Sequence, residues 1–290
     1  MSSKSDLSSV FSKRPIVLVV EDRVVKEYLY AVWGADQIHF TIIAAGGHQI
    51  VSGFVEDSRK HGITTIFGFV DTDFGTSNVE NWETTNNPPN IFRSSYHEAE
   101  NMLLDWDALE GCDLNQRQNN HNSSDIQNWA KAEAAKQPWW LACRNRLRDM
   151  QKLHGAGFPK APKLTNVTSH DEAFAYIADS GWCGDLQSRT TQIMDSTCLD
   201  AELNTAHTQF SNDLASDEWK TTFSGKEIYR HLRSRIYNVH PSVSKDADVD
   251  LAHSVGLWQR ENNKVPCEMN KLKDIIKKRV GIFNSTVAYS

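Results

Sequence analysis

The run Ile16-Val17-Leu18-Val19-Val20 constrains the fold of this chain more than any other feature. Five consecutive apolar residues, most of them β-branched, form a strand buried on both faces, as in the middle of a parallel sheet. From Asp22 the period changes: Val25, Tyr28, Leu29 and Val32 recur at helical spacing, and Gly34 stands where such a helix stops. The alternation then repeats. A strand is expected over 39–45, a turn at Gly46-Gly47, a helix whose inner face carries Ile50, Val51, Phe54, Val55 and Ser58, and a third strand over 64–70 that ends at Asp71. Strand, helix, strand, helix, strand within such a short stretch predicts an α/β fold, a parallel sheet with right-handed crossovers flanked by helices.

Residues 76–90, rich in Asn, Thr and Pro, read as a surface loop. Ile91-Phe92-Arg93 reads as a short fourth strand, and 99–108 as helical. Beyond Gly111 the stretch 115–125 is rich in Asn and Gln and is expected to be a linker or excursion too polar for a core. Helices are expected over 124–136, 139–154, 171–178, 199–214, 225–237 and 268–279. The chain therefore divides into a flexible polar leader at 1–14, a catalytic α/β core at 15–110, and a mainly helical region at 111–290 for substrate, dimer or partner contacts.

In a parallel α/β sheet, ligands bind outside the carboxyl ends of the strands. Glu21 ends the first strand, Asp71 and Asp73 end the third, and Glu98 and Glu100 follow the fourth. Carboxylates gathered along one edge repel unless a cation neutralises them, so the pattern predicts a hard-metal site. If Asp71-Thr72-Asp73 is extended, both its carboxylates point the same way, onto one metal or straddling two. All-oxygen ligation favours Mg²⁺ or Mn²⁺ over zinc. Gly46 and Gly47 leave room for backbone to approach a phosphate.

These residues resemble a known pattern: V-V-E at the end of strand one, a glycine pair after strand two, V-D-T-D-F-G after strand three, then the acidic segment Y-H-E-A-E-N-M-L-L-D over 96–105. This is similar to the TOPRIM pattern of topoisomerases, primases and OLD-type nucleases. With F-S-G-K-E over 223–227, it resembles the branch of stand-alone TOPRIM proteins often paired with an ABC-type ATPase, which includes the toxin subunit of the PARIS phage-defence system. The resemblance covers about residues 16–105. It implies a metal-dependent nuclease acting on RNA such as tRNA, dimeric when active, and held inactive by the ATPase until infection is sensed. Glu21, Asp71, Asp73, Glu98 and Glu100 would then be catalytic and would hold one or two Mg²⁺ or Mn²⁺ ions, with Glu21 also placed to act as a base. Many TOPRIM sequences have Gly after the strand-one Glu, whereas this chain has Asp22, which either joins the metal or caps the following helix. For Glu98 and Glu100 the sequence does not choose.

Two basic stripes accompany apolar helix faces: Arg144, Arg148 and Lys152 on one, and Lys226, Arg230 and Arg233 on the other. Each either guides a phosphate backbone or is a solvated face. Lys226 and Arg230 are the substrate-binding candidates, Lys226 because it follows Ser224-Gly225 in a first helical turn. Lys271, Lys273, Lys277, Lys278 and Arg279 flank Leu272, Ile275, Ile276 and Val280, a pattern equally good for contacting substrate and for packing on a partner helix. Of nine tryptophans, the pair Trp139-Trp140 suits base stacking or core burial. His97 suits proton transfer or a structural hydrogen bond.

The five cysteines have no zinc-ligand spacing and are expected to be reduced and mostly buried. No apolar run approaches the roughly 20 residues that span a bilayer and no secretory signal is visible, so a cytoplasmic location without membrane association is expected. The net charge of −6 argues against coating of nucleic acid by bulk electrostatics while allowing a local basic stripe. Two other functions fit the pattern: a non-catalytic TOPRIM docking module for an ATPase, and a DNA-repair or topoisomerase/primase-like enzyme. The latter lacks a catalytic tyrosine context.

Overall fold

A computed structural model describes residues 16–84, 86, 88–154, 162–178 and 196–282. Four strands, β1 (Ile16–Val20), β2 (Phe40–Ala44), β3 (Ile66–Val70) and β4 (Ile91–Arg93), form one all-parallel sheet in the order β2-β1-β3-β4. The fold is α/β, with a helical C-terminal part. β1 lies between β2 and β3, which is why all five of its residues are apolar and at most 1% exposed.

The sheet's alternation sorts its side chains onto two helical layers. Val17, Val19, Ile66 and Val70 pack with Val51 and Val55 of α2 (His48–Lys60) on one face. Ile16, Leu18, Val20, Phe40, Ile42, Phe67 and Phe69 join α1 (Arg23–Trp33) on the other. Ile50, expected on the inner face of α2, is instead 57% exposed.

The second half supplies α3 (Trp106–Gly111), α4 (Asp113–Gln118), α5 (Ser123–Ala134), α6 (Pro138–His154), α7 (His170–Ala178), α8 (Ser196–Ala215), α9 (Trp219–Thr222), α10 (Gly225–Ile236), α11 (Ala247–Glu261) and α12 (Cys267–Arg279). These helices do not stand apart from the sheet: one apolar core runs from Ile16 through α1 and α6 to Ile276. Buried polar links reinforce it. The Tyr28 hydroxyl donates to Gln259 at 2.7 Å, the Trp33 indole donates to the Met269 carbonyl at 3.1 Å, and Ser94 donates to Glu268 at 2.9 Å.

Three expectations are corrected. Residues 99–108 are not one helix: a 3₁₀ turn (Ala99–Leu103) precedes α3 and seats Glu98 at its head. The stretch 115–125 is no linker, because Asn115 is fully buried and its amide donates to the carbonyls of Glu110 and His121, so its polarity serves internal hydrogen bonds. The apolar stripe of α12 packs into the chain's own core, with Lys273 and Lys277 paired to Asp36, rather than awaiting a partner helix.

Helix α11 had no expected counterpart. Gly256 reads locally as a helix breaker, yet a Cβ there would stand 2.8 Å from Ala31 Cβ and 3.1 Å from the Tyr28 ring. The glycine is what lets α11 lie close against α1.

Cys112 and Cys143 are buried, while Cys198 and Cys267 are exposed and free, so burial is less general than expected. Cys183, the leader and the Lys152 side chain lie outside the described residues and side chains. Among the described residues, no helix is long and apolar enough to cross a membrane.

Candidate functional site

Every expected carboxylate lies at the carboxyl edge of the sheet. Glu21 follows β1 directly and accepts the Asp71 backbone N–H at 3.0 Å, tying the ends of β1 and β3 together. Asp71 in turn accepts the Ala99 N–H at 2.8 Å. Pairing between β3 and β4 continues beyond the strands: Ser94 donates to Val70, Thr72 to Tyr96, and Asp73 to His97 at 2.7 Å. This extension carries the segment 94–100 alongside 71–73 and so delivers Glu98 and Glu100 to the site.

The carboxylates fall into two groups. Asp73 has φ +48°, left-handed rather than extended, so the premise that Asp71 and Asp73 share a direction does not hold. Asp71 is buried beside Glu21 and Glu100, whereas Asp73 is 39% exposed and turned towards His97, Glu98 and Arg144. One ligand atom each from Asp73, His97 and Glu98 lie within 4.8 Å of one another.

In the Asp71 group, burial raises the Asp71 carboxyl well above the usual range, and Glu100, Glu21, Glu98 and Asp73 add to the effect. Burial pushes Glu100, only 1% exposed, up to about 8 against the opposing pull of Lys226. Glu21 is also raised, chiefly by burial. Lys226 reaches in from the first turn of α10, its ammonium 3.0 Å from Asp22 and 3.4 Å from Glu100. Burial disfavours that ammonium, but Glu100 and Asp22 outweigh it and raise the lysine. Asp22 caps α1 by accepting the Val25 N–H at 3.0 Å, the capping role weighed from sequence, while its second oxygen holds Lys226.

In the Asp73 group, Glu98 accepts the Ser224 hydroxyl at 2.7 Å and the Lys226 N–H at 2.8 Å, and lies 3.7 Å from Arg144. Burial works to raise Glu98, yet His97, Arg144 and these hydrogen bonds hold it below the ordinary range. Glu98 thus also receives one N-terminal amide of α10, that of Lys226. His97 donates from Nδ1 to the Asp73 carbonyl at 2.7 Å, since a carbonyl oxygen only accepts. Burial lowers its pKa against the opposing pull of Glu98, and Nε2 is buried and without a partner. Arg144 bridges the group, 3.9 Å from Asp73 and stacked 4.6 Å over Trp140.

The glycines and the basic stripes are placed as follows. Gly46 (φ +95°) and Gly47 (φ +151°) form the turn into α2, Gly46 donating to the Glu21 carbonyl at 2.7 Å, with open space where Cβ atoms would stand. Arg230 is not brought to the carboxylates; it pairs with Glu227 on the surface of α10, and Arg233 pairs with Asp248. Trp140 is buried and Trp139 stacks on His207 at 3.7 Å. Sequence reasoning missed Ser224, His48, whose Nδ1 lies 3.7 Å from Glu21, and the bridging position of Arg144. Ser224 preceding Gly225 carried a recognisable N-cap signal, and its hydroxyl does accept the Glu227 N–H. No protein-family model, curated protein or solved structure matches the chain.

Proposed function

We propose that the chain is a metal-dependent nuclease of TOPRIM type, cleaving phosphodiester bonds, with RNA such as tRNA its favoured substrate. In this reading it is an anti-phage toxin, active as a homodimer and restrained by an ABC-type ATPase partner. The observation that carries the chemistry is the convergence of Glu21, Asp71, Asp73, Glu98 and Glu100 on one sheet edge, with the pKa values of Asp71 and Glu100 raised chiefly by burial. The residues fit a divalent cation: Glu100 Oε2 and His97 Nε2 are buried and unpartnered, and ligand atoms of Asp73, His97 and Glu98 lie within 4.8 Å of one another. Mg²⁺ or Mn²⁺ suits the carboxylates, and the imidazole of His97 shifts the balance towards Mn²⁺.

Asp73, His97 and Glu98 would hold one ion as they stand, and a second would need Glu21, Asp71 and Glu100 to draw together around it. Such ions polarise a phosphate and lower the pKa of bound water. Glu21, raised by burial, takes the proton from the attacking water or hydroxyl. The Lys226 ammonium supplies positive charge beside the leaving oxygen. Gly46 and Gly47 admit the substrate backbone beside Glu21.

A specific observation favours a second reading. Arg144 already bridges Asp73 and Glu98, and Lys226 bridges Asp22 and Glu100, as internal cations would in a docking module without catalysis. The deciding experiment incubates the purified protein and a Glu21→Ala variant with total tRNA, single-stranded DNA and duplex DNA, with and without Mg²⁺ or Mn²⁺, while calorimetry measures metal binding. Metal-dependent cleavage lost in the variant supports the nuclease. Absence of both cleavage and metal binding supports the docking module.

A further inference from the structure

Arg93 at the end of β4 and Arg148 on α6 come from distant parts of the chain and meet beside the Asp73 loop. On the side of Gly75 where a Cβ would stand, Arg148 Nη2 comes within 3.0 Å and Arg93 Nη1 within 3.4 Å of that position. Two guanidinium groups held together repel unless an anion lies between them. Neither has a carboxylate within ion-pair distance among the described residues, unlike Arg144, Lys226 and Arg233. Arg93 donates from its guanidinium to the Thr76 carbonyl at 3.4 Å, while Arg148 Nη1 is buried with no acceptor. Burial lowers the Arg148 pKa, Asp73 opposes the shift from beyond ion-pair distance, and Arg93 then lowers it further, as two close cations require. His48, in the first turn of α2, is lowered by burial and then by Arg93, so it lies within electrostatic reach of the same cations.

The geometry points to an anion subsite formed by Arg93 and Arg148 over Gly75, flanked by His48, that takes a backbone phosphate of a nucleic-acid strand next to the bond held at the carboxylates. Paired guanidinium forks match phosphoryl oxygens, and a buried, unused N–H is satisfied by such an acceptor. In a chain of net charge −6, these are cations without a carboxylate at ion-pair distance among the described residues, beside a carboxylate cluster. The identity of the strand rests on the nuclease reading; the anion subsite does not.

The test uses the full chain in an uncleaving Glu21→Gln background, with fluorescein-labelled single-stranded RNA and DNA of one sequence, binding being followed by anisotropy across a range of KCl. Arg93→Ala and Arg148→Ala are each expected to weaken binding about tenfold or more and to flatten the dependence of log K on log salt by about 0.7 per lost phosphate contact. Arg93→Lys and Arg148→Lys, which keep the charge and disturb the fold less, should fall between parent and alanine variants. Lys60→Ala, at the far end of α2, should leave binding unchanged. Equal affinity and salt slope in parent and arginine variants would overturn the proposal, as would failure of the parent to bind either strand. Arginine-dependent binding, with the wild-type protein cleaving neither these strands nor tRNA in Mg²⁺ or Mn²⁺, would keep the subsite and remove the nuclease reading. The ratio of RNA to DNA affinity identifies the strand.

Discussion

Glu100 provides a quantitative check on the electrostatics of the site. Its carboxyl is buried and raised from an ordinary 4.5 to about 8, so between those values the folded protein holds a proton that the unfolded chain has released. Folded stability therefore decreases as pH rises through this window. For a group with a native pKa of about 8, the decrease from about pH 7 to about pH 9 integrates to about 1.4 kcal/mol, one pH unit's worth of proton binding. Glu98 has the opposite sign but acts below its ordinary value of 4.5, and the lowered histidines His97 and His48 act below about 6.5, so none of them enters this range. Glu100→Gln replaces the protonated acid with a neutral side chain of the same shape. Urea unfolding in EDTA at pH 7, 8 and 9 should show the wild type losing about 1.4 kcal/mol more than the variant across the range. Mn²⁺ should remove most of the difference at pH 9 by stabilising the ionised wild type. Parallel pH profiles for the two proteins would refute the reasoning.

Gly256→Val places a side chain into Ala31 and Tyr28 and should destabilise the fold by about 2 kcal/mol, seen as a lower Tm with α1 and α11 amides exchanging faster. Gln259→Leu strands the buried Tyr28 hydroxyl and removes the bond to Asp105, for a loss of about 2–3 kcal/mol in urea unfolding, whereas the Tyr28→Phe/Gln259→Leu pair should recover part of it. Lys226→Met leaves Asp22 and Glu100 without their cation; with the lysine side chain 34% exposed, a stability loss of about 2 kcal/mol at pH 8 is expected and, on the nuclease proposal, loss of cleavage with it.

What could be seen in the sequence follows from how far each signal reaches. β1 and β3 are covered on both faces, so burial wrote continuous apolar runs, and Glu21 and Asp71 follow those runs directly. The helix after Asp22 was visible because one face alone is buried. Asp73 was misjudged in direction because its left-handed backbone is fixed by hydrogen bonds to His97, which no local pattern records. Asn115 was read as exposed because polarity alone does not distinguish a solvated amide from one satisfied by two carbonyls. Arg144 and Ser224 reach Glu98 from helices far along the chain, and contacts of that range leave no mark in spacing.

The balance of charge at the site ties these observations together. Six carboxylates, Glu21, Asp22, Asp71, Asp73, Glu98 and Glu100, share two ion-paired cations, Lys226 and Arg144. Burial first, and mutual repulsion of the carboxylates second, raise Asp71 and Glu100 well above the ordinary carboxylate range. Protons and divalent cations then compete for the same oxygens, and uptake of a metal ion must expel protons. Calorimetric titration with Mn²⁺ at pH 7 in buffers of different ionisation heat should therefore report release of about one proton or more per ion. In Glu100→Gln the release should fall, because the residue that holds a proton up to about pH 8 no longer has one to give. Metal uptake without proton release would mean that the ion sits away from Asp71 and Glu100, at the Asp73, His97 and Glu98 group, where Glu98 is held below the ordinary carboxylate range.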